Sequence, residues 1–252
     1  MTAPSWLRDT PLAHRGLHGP GRPENSLAAF AAAVESGVGV ELDVRRTADG
    51  VPVVFHDQTF ERLIGVAGTI ETSTLAQLAG MRLAGSDEGV PTLADALGVL
   101  PRVPVMVEIK SVDRRAGLLE PQVAALVDAH PGPVCVAGFN PASIRWFTVR
   151  APQIVRVQTA GPLRDVTMPR VMKWSLRTLR FVAWTRPDAV SYDLAGIDHA
   201  VVQAFRAGGG TVITWTVRTR TDLACAREFA DNVIFEDLPP STVLEAARNR
   251  PS

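Results

Sequence analysis

From Val40 to Val44 apolar and polar residues alternate at period two, Val40, Leu42 and Val44 against Glu41 and Asp43. That period predicts a strand, with both carboxylates on one of its faces. Thr47-Ala48-Asp49-Gly50 then reads as a turn with Asp-Gly as its signature, and Val51 to Phe55 as a second strand. So short a turn cannot hold a parallel crossover, so the two strands are expected to run antiparallel. Pairing Arg45 with Pro52 returns Phe55 and His56 beside Asp43 and Glu41. One hairpin thereby gathers two carboxylates, an imidazole and a further acid, Asp57.

The rest of the chain alternates strand and helix patterns. Leu12-Ala13 ends in His14-Arg15-Gly16, and a polar loop leads to a helix from Leu27 to Ser36. Leu27, Phe30, Ala31 and Val34 share one face of it, with Asn25 or Ser26 as N-cap and Gly37 as stop. Residues 58–90 read as an excursion with one short helix near Leu75 to Arg82. Thr92 and Asp95 form a capping box for a helix to Leu100, and Val103 to Lys110 is a buried strand. A helix from about Leu118 to Ala129 follows. Strands at 133–139, 154–159, 188–193, 211–217 and 232–236 then alternate with helices at 141–150, 165–184, 196–207, 219–230 and 240–249. Without the hairpin partner these are eight strand–helix units, which predicts an α/β fold of the (β/α)8 TIM-barrel type with a small hairpin and loop excursion after strand 2. An open doubly wound sheet is the rival, weakened by the lack of Gly-x-Gly-x-x-Gly after any strand.

A single domain over residues 1–252 suits the length, since such barrels typically have about 250 residues. Lys plus Arg and Asp plus Glu are 26 each, so global charge gives no argument for nucleic-acid binding. Cys135 and Cys225 are too far apart for a metal spacing and read as two buried thiols. The N-terminal stretch has no apolar core of a secretory signal and no run is long enough to span a membrane, so a cytoplasmic protein is expected.

The active site of such a barrel lies at the C-terminal ends of its strands. His14 and Arg15, Glu41 and Asp43, and Glu108 and Lys110 stand at that end of successive strands; Trp215 closes a later one and Asp237 follows the last. Glu41, Asp43 and Glu108 converging, with no His-x-His motif, point to one hard divalent cation, Mg²⁺ or Ca²⁺. Arg15 and Lys110 suit an anionic substrate. His14 and His56 supply two groups that titrate near neutrality, as paired acid and base catalysis requires. Ordinary strand-end salt bridges are the plain alternative, disfavoured because buried acids are costly unless paired or metal-bound. His18, His130 and His199 read as surface or loop residues, and Asp57 as support for a neighbour. Glu24 either orients His14 or closes a loop. Trp215 is a wall for substrate carbons, with core packing as its rival.

His14-Arg15-Gly16, Pro23-Glu24-Asn25-Ser26, Glu41-Leu42-Asp43, the run Asp49-Gly-Val-Pro-Val-Val-Phe-His-Asp57, Glu108-Ile-Lys110 and Trp215-Thr-Val resemble the glycerophosphodiester phosphodiesterase family in order and spacing. The resemblance implies metal-dependent hydrolysis of a small-molecule glycerophosphodiester to an alcohol and sn-glycerol 3-phosphate. It implies Glu41, Asp43 and Glu108 as metal ligands, His14 and His56 as the acid/base pair, and Arg15 and Lys110 as phosphate contacts. A lysophospholipase D-type lipid phosphodiesterase and a non-catalytic phosphodiester-binding barrel are the alternative readings. The chain departs from the family pattern at Gly138, at Arg218, at Glu236-Asp237 and in the excursion from Phe60 to Gly65, and none of these falls on a metal or acid/base position.

One further segment, 168–186, has helical spacing. Met168, Val171, Met172, Leu176, Leu179 and Val182 follow that spacing, while Arg170, Lys173, Arg177 and Arg180 line another face, with Trp174, Phe181 and Trp184 near the boundary. An outer barrel helix explains this pattern; peripheral contact with lipid is the functional alternative. The sequence leaves the released alcohol, the metal and the oligomeric state open.

Overall fold

Pleated strands whose side chains alternate between two buried faces organise the molecule. A computed structural model of the chain describes residues 3–111, 116–163 and 169–249. Its strands are β1 (Leu12–His14), β2 (Gly39–Arg46), β3 (Pro52–Val54), β4 (Val105–Ile109), β5 (Val134–Gly138), β6 (Val155–Ala160), β7 (Ala189–Asp193), β8 (Thr211–Val217) and β9 (Asn232–Phe235). All but β3 pair in parallel, and pairing of β1 with both β2 and β9 closes an eight-stranded barrel. β3 adds antiparallel to β2 as the start of the excursion. Val53 sits opposite Arg45 and Pro52 opposite Arg46, one residue away from the expected register. Phe55 still donates its N–H to the Asp43 carbonyl, so the hairpin returns His56 to the strand end.

The helices are α1 (Trp6–Asp9), α2 (Leu27–Ser36), α3 (Leu75–Leu78), α4 (Leu93–Val99), α5 (Glu120–Asp128), α6 (Pro141–Arg150), α7 (Arg170–Arg177), α8 (Val182–Thr185), α9 (Ala200–Ala207), α10 (Arg220–Phe229) and α11 (Pro240–Arg248). Ser26 caps α2 by accepting from Ala29 N–H, and Gly37 ends it in the left-handed conformation. The buried face of α2 is Ala29, Phe30 and Ala33; Ala31, expected inside, is exposed. Thr92 and Asp95 form the expected capping box of α4. The short helix of the excursion is only α3, and α9 starts at Ala200 after a 3₁₀ turn.

A single helix over 165–184 is not observed. Residues 164–168 lie outside the described part, as does Met168 of the amphipathic segment. α7 stops where Leu179 takes φ 53° and Arg180 N–H reaches back to the Ser175 carbonyl, a left-handed ending that the apolar spacing does not reveal.

Period two explains where the core lies. Val40, Leu42 and Val44 of β2 pack outward against the helices, with Phe30, Leu93 and Val105 in the same cluster. Inside the barrel, Leu12, Met106, Cys135, Val157, Ala189, Ile213 and Ile234 form a separate apolar layer. Ala3 and Leu7 of the α1 region complete it, and Asn232 holds α1 by donating to the carbonyls of Leu7 (3.0 Å) and Thr10 (2.7 Å). The expected burial of both thiols holds for Cys135, whereas Cys225 on α10 is half-buried. The excursion carries its own small core of Val53, Phe55, Phe60, Leu63, Ile70, Leu78 and Leu83.

Candidate active site

Two residues beyond most of the apolar positions of the lumen, the same strands place polar side chains: His14 after Leu12, Glu108 after Met106, Thr159 after Val157, Ser191 after Ala189 and Trp215 after Ile213. Together with Glu41, Asp43 and Lys110 most of them surround a cavity of about 1040 Å³ at the C-terminal ends of the strands. All eight residues expected at the site, His14, Arg15, Glu41, Asp43, His56, Glu108, Lys110 and Trp215, line this cavity.

The His14-Arg15-Gly16 turn has a conformational reason. Arg15 and Gly16 both have positive φ, 57° and 81°. A Cβ on Gly16 would also meet the Ala29 methyl at 2.9 Å, so only glycine fits there. The turn aims Arg15 N–H at the Glu41 carboxylate (3.2 Å) and lets the guanidinium bond Glu24 (2.7 Å). Glu24 therefore holds Arg15, not His14. Asn25, also left-handed, exchanges two hydrogen bonds with Asp43, through its side-chain amide and the Asp43 backbone.

Each histidine leans on a carboxylate. His14 Nδ1 lies 2.5 Å from Glu236 Oε2, and its Nε2 stands 3.9 Å from Glu41. His56 Nδ1 lies 2.7 Å from Asp57 Oδ1. A carboxylate at Nδ1 favours the tautomer that leaves Nε2 for proton transfer. Arg45 fixes His56 further by donating to its carbonyl (2.9 Å) while pairing with Glu71 (2.7 Å). Burial pulls the His56 imidazole below its usual value, against the opposing pull of Asp43.

Glu236 and Arg218 were read as departures that leave the acid/base pair untouched. The geometry corrects this. Arg218 Nε donates to Glu236 Oε1 (2.5 Å) while the other oxygen of Glu236 holds His14, so the two departures form one chain of contacts ending on the imidazole. Burial alone would raise the Glu236 carboxyl; the His14 bond and nearby His18 and Arg218 hold it well below the usual carboxylate range. His18 lies in a loop as expected, with its Nε2 3.8 Å from the same oxygen. Glu236 was discoverable, being two residues beyond lumen-facing Ile234. Arg62, on the excursion, gave no such signal. It clamps Asp57 (2.6 and 2.9 Å) and Glu24 (2.7 and 2.8 Å), joining the supports of His56 and Arg15.

The acids at the centre are crowded. Lys110 Nζ bonds Asp43 (2.9 Å) and Glu108, and Arg15 Nε lies 3.4 Å from Asp43. Burial would raise the Asp43 carboxyl, yet Lys110, His56 and Arg15 bring it well below its usual value. Glu41 goes the other way: burial, and then the charges of Asp43 and Glu108, push it well up. Negative charge is therefore in excess around Glu41, and three oxygen donors from adjacent strands fit a hard divalent cation. Among the described residues no three such side chains already form a cation cage, and the Lys110 ammonium contacts both Asp43 and Glu108.

Among the described residues, three buried polar atoms on the cavity wall lack a hydrogen-bond partner: Arg15 Nε, Ser191 Oγ and Trp215 Nε1. Such atoms are rarely orphaned in folded proteins. Their clustering on one wall marks a place for a polar ligand, and Ser191 is a member that sequence reasoning missed. Trp215 packs edge-on against Phe139 at 5.6 Å, which sets an apolar surface beside the ammonium of Lys110.

The pattern of the glycerophosphoryl diester phosphodiesterase family matches residues 14–239. The chain belongs to this family. It is a phosphoric diester hydrolase of that family. Among its relatives, a Mycobacterium tuberculosis protein named probable glycerophosphodiester phosphodiesterase 2 is 30% identical over 219 residues, covering 82% of this chain and 78% of the relative. A glycerophosphodiester phosphodiesterase of Caldanaerobacter subterraneus is 28% identical over 254 residues, 94% and 97% of the two chains. The fold is shared with an Oleispira antarctica phosphodiesterase solved with the product sn-glycerol-3-phosphate, at TM-score 0.78, 22% identity and coverage of 96% and 98%. Among the described residues no helix is long and apolar enough to cross a membrane.

Proposed function

We propose that this chain hydrolyses glycerophosphodiesters to an alcohol and sn-glycerol 3-phosphate, with His14 and His56 as the acid/base pair. One observation carries the reading: two imidazoles, each held at Nδ1 by a carboxylate, flank a single cavity whose wall also offers Arg15, Lys110 and orphaned donors. Glu41, Asp43 and Glu108 would hold one divalent cation, Mg²⁺ or Ca²⁺. When bound, it supplies positive charge against the oxygens of the phosphoryl group.

The steps assigned to this chain follow the scheme that the family resemblance implies. One histidine, through Nε2, takes the proton of the glycerol 2-hydroxyl as that oxygen bonds to phosphorus. The other gives a proton to the departing alkoxide as its bond to phosphorus breaks, leaving a cyclic phosphate. Water then opens the ring with the two proton roles reversed. Arg15 and Lys110 bear on the non-bridging oxygens, where negative charge builds in the transition state. Lys110 would give up its present contacts with Asp43 and Glu108 to meet the phosphate. Trp215 and Phe139 would cover the glycerol carbons.

The test is release of glycerol 3-phosphate from glycerophosphocholine with Mg²⁺, Ca²⁺ or EDTA, beside the same assay on lysophosphatidylcholine. Cation-dependent turnover of the first substrate is expected. Preference for the acylated one would move the protein to the lysophospholipase D-type reading, and no cleavage under any metal would leave a binding role. Replacing His14 or His56 by Ala is expected to lower kcat by about 10²–10⁴-fold. Full turnover in either variant would remove the pairing.

A further inference from the structure

Large apolar side chains that stay exposed are few. Among the described residues they are Val66, Leu118, Val149, Val171, Trp174 and Trp184, so half of them fall within the fourteen positions 171–184. Val171 shares the apolar spacing of the segment, yet it is 75% exposed, because the buried side of α7 is formed by Ser175 and Leu176. Trp174 and Trp184 are exposed by 47% and 48%. Phe181 joins them, with its ring 6.4 Å from Trp184, and the Arg180 guanidinium lies 5.2 Å from the Trp174 ring.

Within this stretch of chain the charge has one sign. Arg170, Arg177, Arg180 and Arg186 are all exposed, and no acid occurs from Pro169 to Pro187. The patch is also placed with respect to the cavity. Tyr192 donates its hydroxyl to the Arg177 carbonyl (2.8 Å), and the next residue, Asp193, lines the cavity. α7 is thus tied to the barrel wall at the level of the mouth.

We propose that α7 and α8 form a docking surface for an anionic phospholipid bilayer, with Val171, Trp174 and Trp184 entering the headgroup boundary and the arginines meeting lipid phosphates. Amphipathic indole rings beside basic side chains match that boundary, where one side is apolar and the other wet. A second copy of the chain fits poorly, since a twofold contact would press this arginine-rich patch against itself. A nucleic acid would answer the charge but give nothing to Val171.

The whole chain is to be sedimented with vesicles of pure phosphatidylcholine and with vesicles of phosphatidylcholine and phosphatidylglycerol in equal parts. Binding to the mixed vesicles alone, weakening with salt, is expected. The combined Arg170→Gln, Arg177→Gln and Arg180→Gln variant should lose roughly fivefold in partitioning for each arginine. The Trp174→Ala, Trp184→Ala variant should also bind more weakly while keeping its salt dependence. Thermal unfolding followed by circular dichroism checks that both variants fold; a variant that fails is replaced by its single substitutions.

Four results would overturn the proposal. They are no sedimentation of the wild type at low salt, wild-type partitioning by the folded variants, tighter binding to single-stranded DNA than to the mixed vesicles, and a dimer in solution that Trp174→Ala dissociates. None of these readouts uses turnover, so the outcome is independent of the diesterase reading.

Discussion

Replacing Glu236 by Gln would keep the shape of the His14 contact and remove its charge. The carboxylate now fixes the imidazole through Nδ1 at 2.5 Å and carries a pKa held well below its usual value. Loss of such an orienting partner typically costs about 10–100-fold. Steady-state kinetics of Glu236→Gln on a glycerophosphodiester should therefore show that loss in kcat with little change in KM. Arg218→Ala is a milder lesion, because its half-exposed pair with Glu236 is of the kind worth about 0–1 kcal/mol and His14 keeps its carboxylate. The supports of the acid/base pair were harder to see in the sequence than the pair itself. His14 and Glu236 are 222 residues apart, and only the closure of β1 on β9 makes them neighbours. Arg62 is further hidden, since it lies outside any strand and reaches both of its acids through a long side chain.

At the scale of elements, α1 shows what a short segment can do. Four residues, Trp6 to Asp9, are too few to reveal a period, and nothing in the sequence marked them as a helix. Their place at the foot of the barrel depends on Asn232, which is buried and donates to two carbonyls of that region. Asn232→Ala strips both acceptors of their partner, and unfolding in urea should show a loss of about 1–3 kcal/mol. The barrel strands, by contrast, were legible as short apolar runs, with a period of two in β2, where Glu41 and Asp43 enter the lumen. Boundaries were legible where capping chemistry is local, as at Ser26, Gly37, Thr92 and Asp95. The ending of α7 was not, because Leu179 enters the left-handed region without a glycine or proline to announce it.

For the whole molecule, the paired carboxylates set how it responds to acid. Burial would raise Asp57, but its bonds to Arg62 and His56 hold it at about 2 against an ordinary value of 3.8. Glu24 and Glu236 are likewise lowered from 4.5. Groups depressed in the folded state contribute in full above the unfolded values, and lose that contribution as pH falls through the folded ones. Melting temperature should thus change little from these groups between pH 7 and pH 5 and fall below about pH 4, with a shallower fall in Glu236→Gln. The foot of the barrel has a different consequence. With Leu7 and the apolar layer of Leu12, Met106, Ile213 and Ile234 filling the lumen beneath the polar residues, the described residues close the foot of the barrel. Fresh diester and spent glycerol 3-phosphate must then exchange through one opening and contend for the same berth. Added glycerol 3-phosphate should therefore raise the apparent KM and leave the maximal rate unchanged, and initial-rate measurements at several product concentrations would show it.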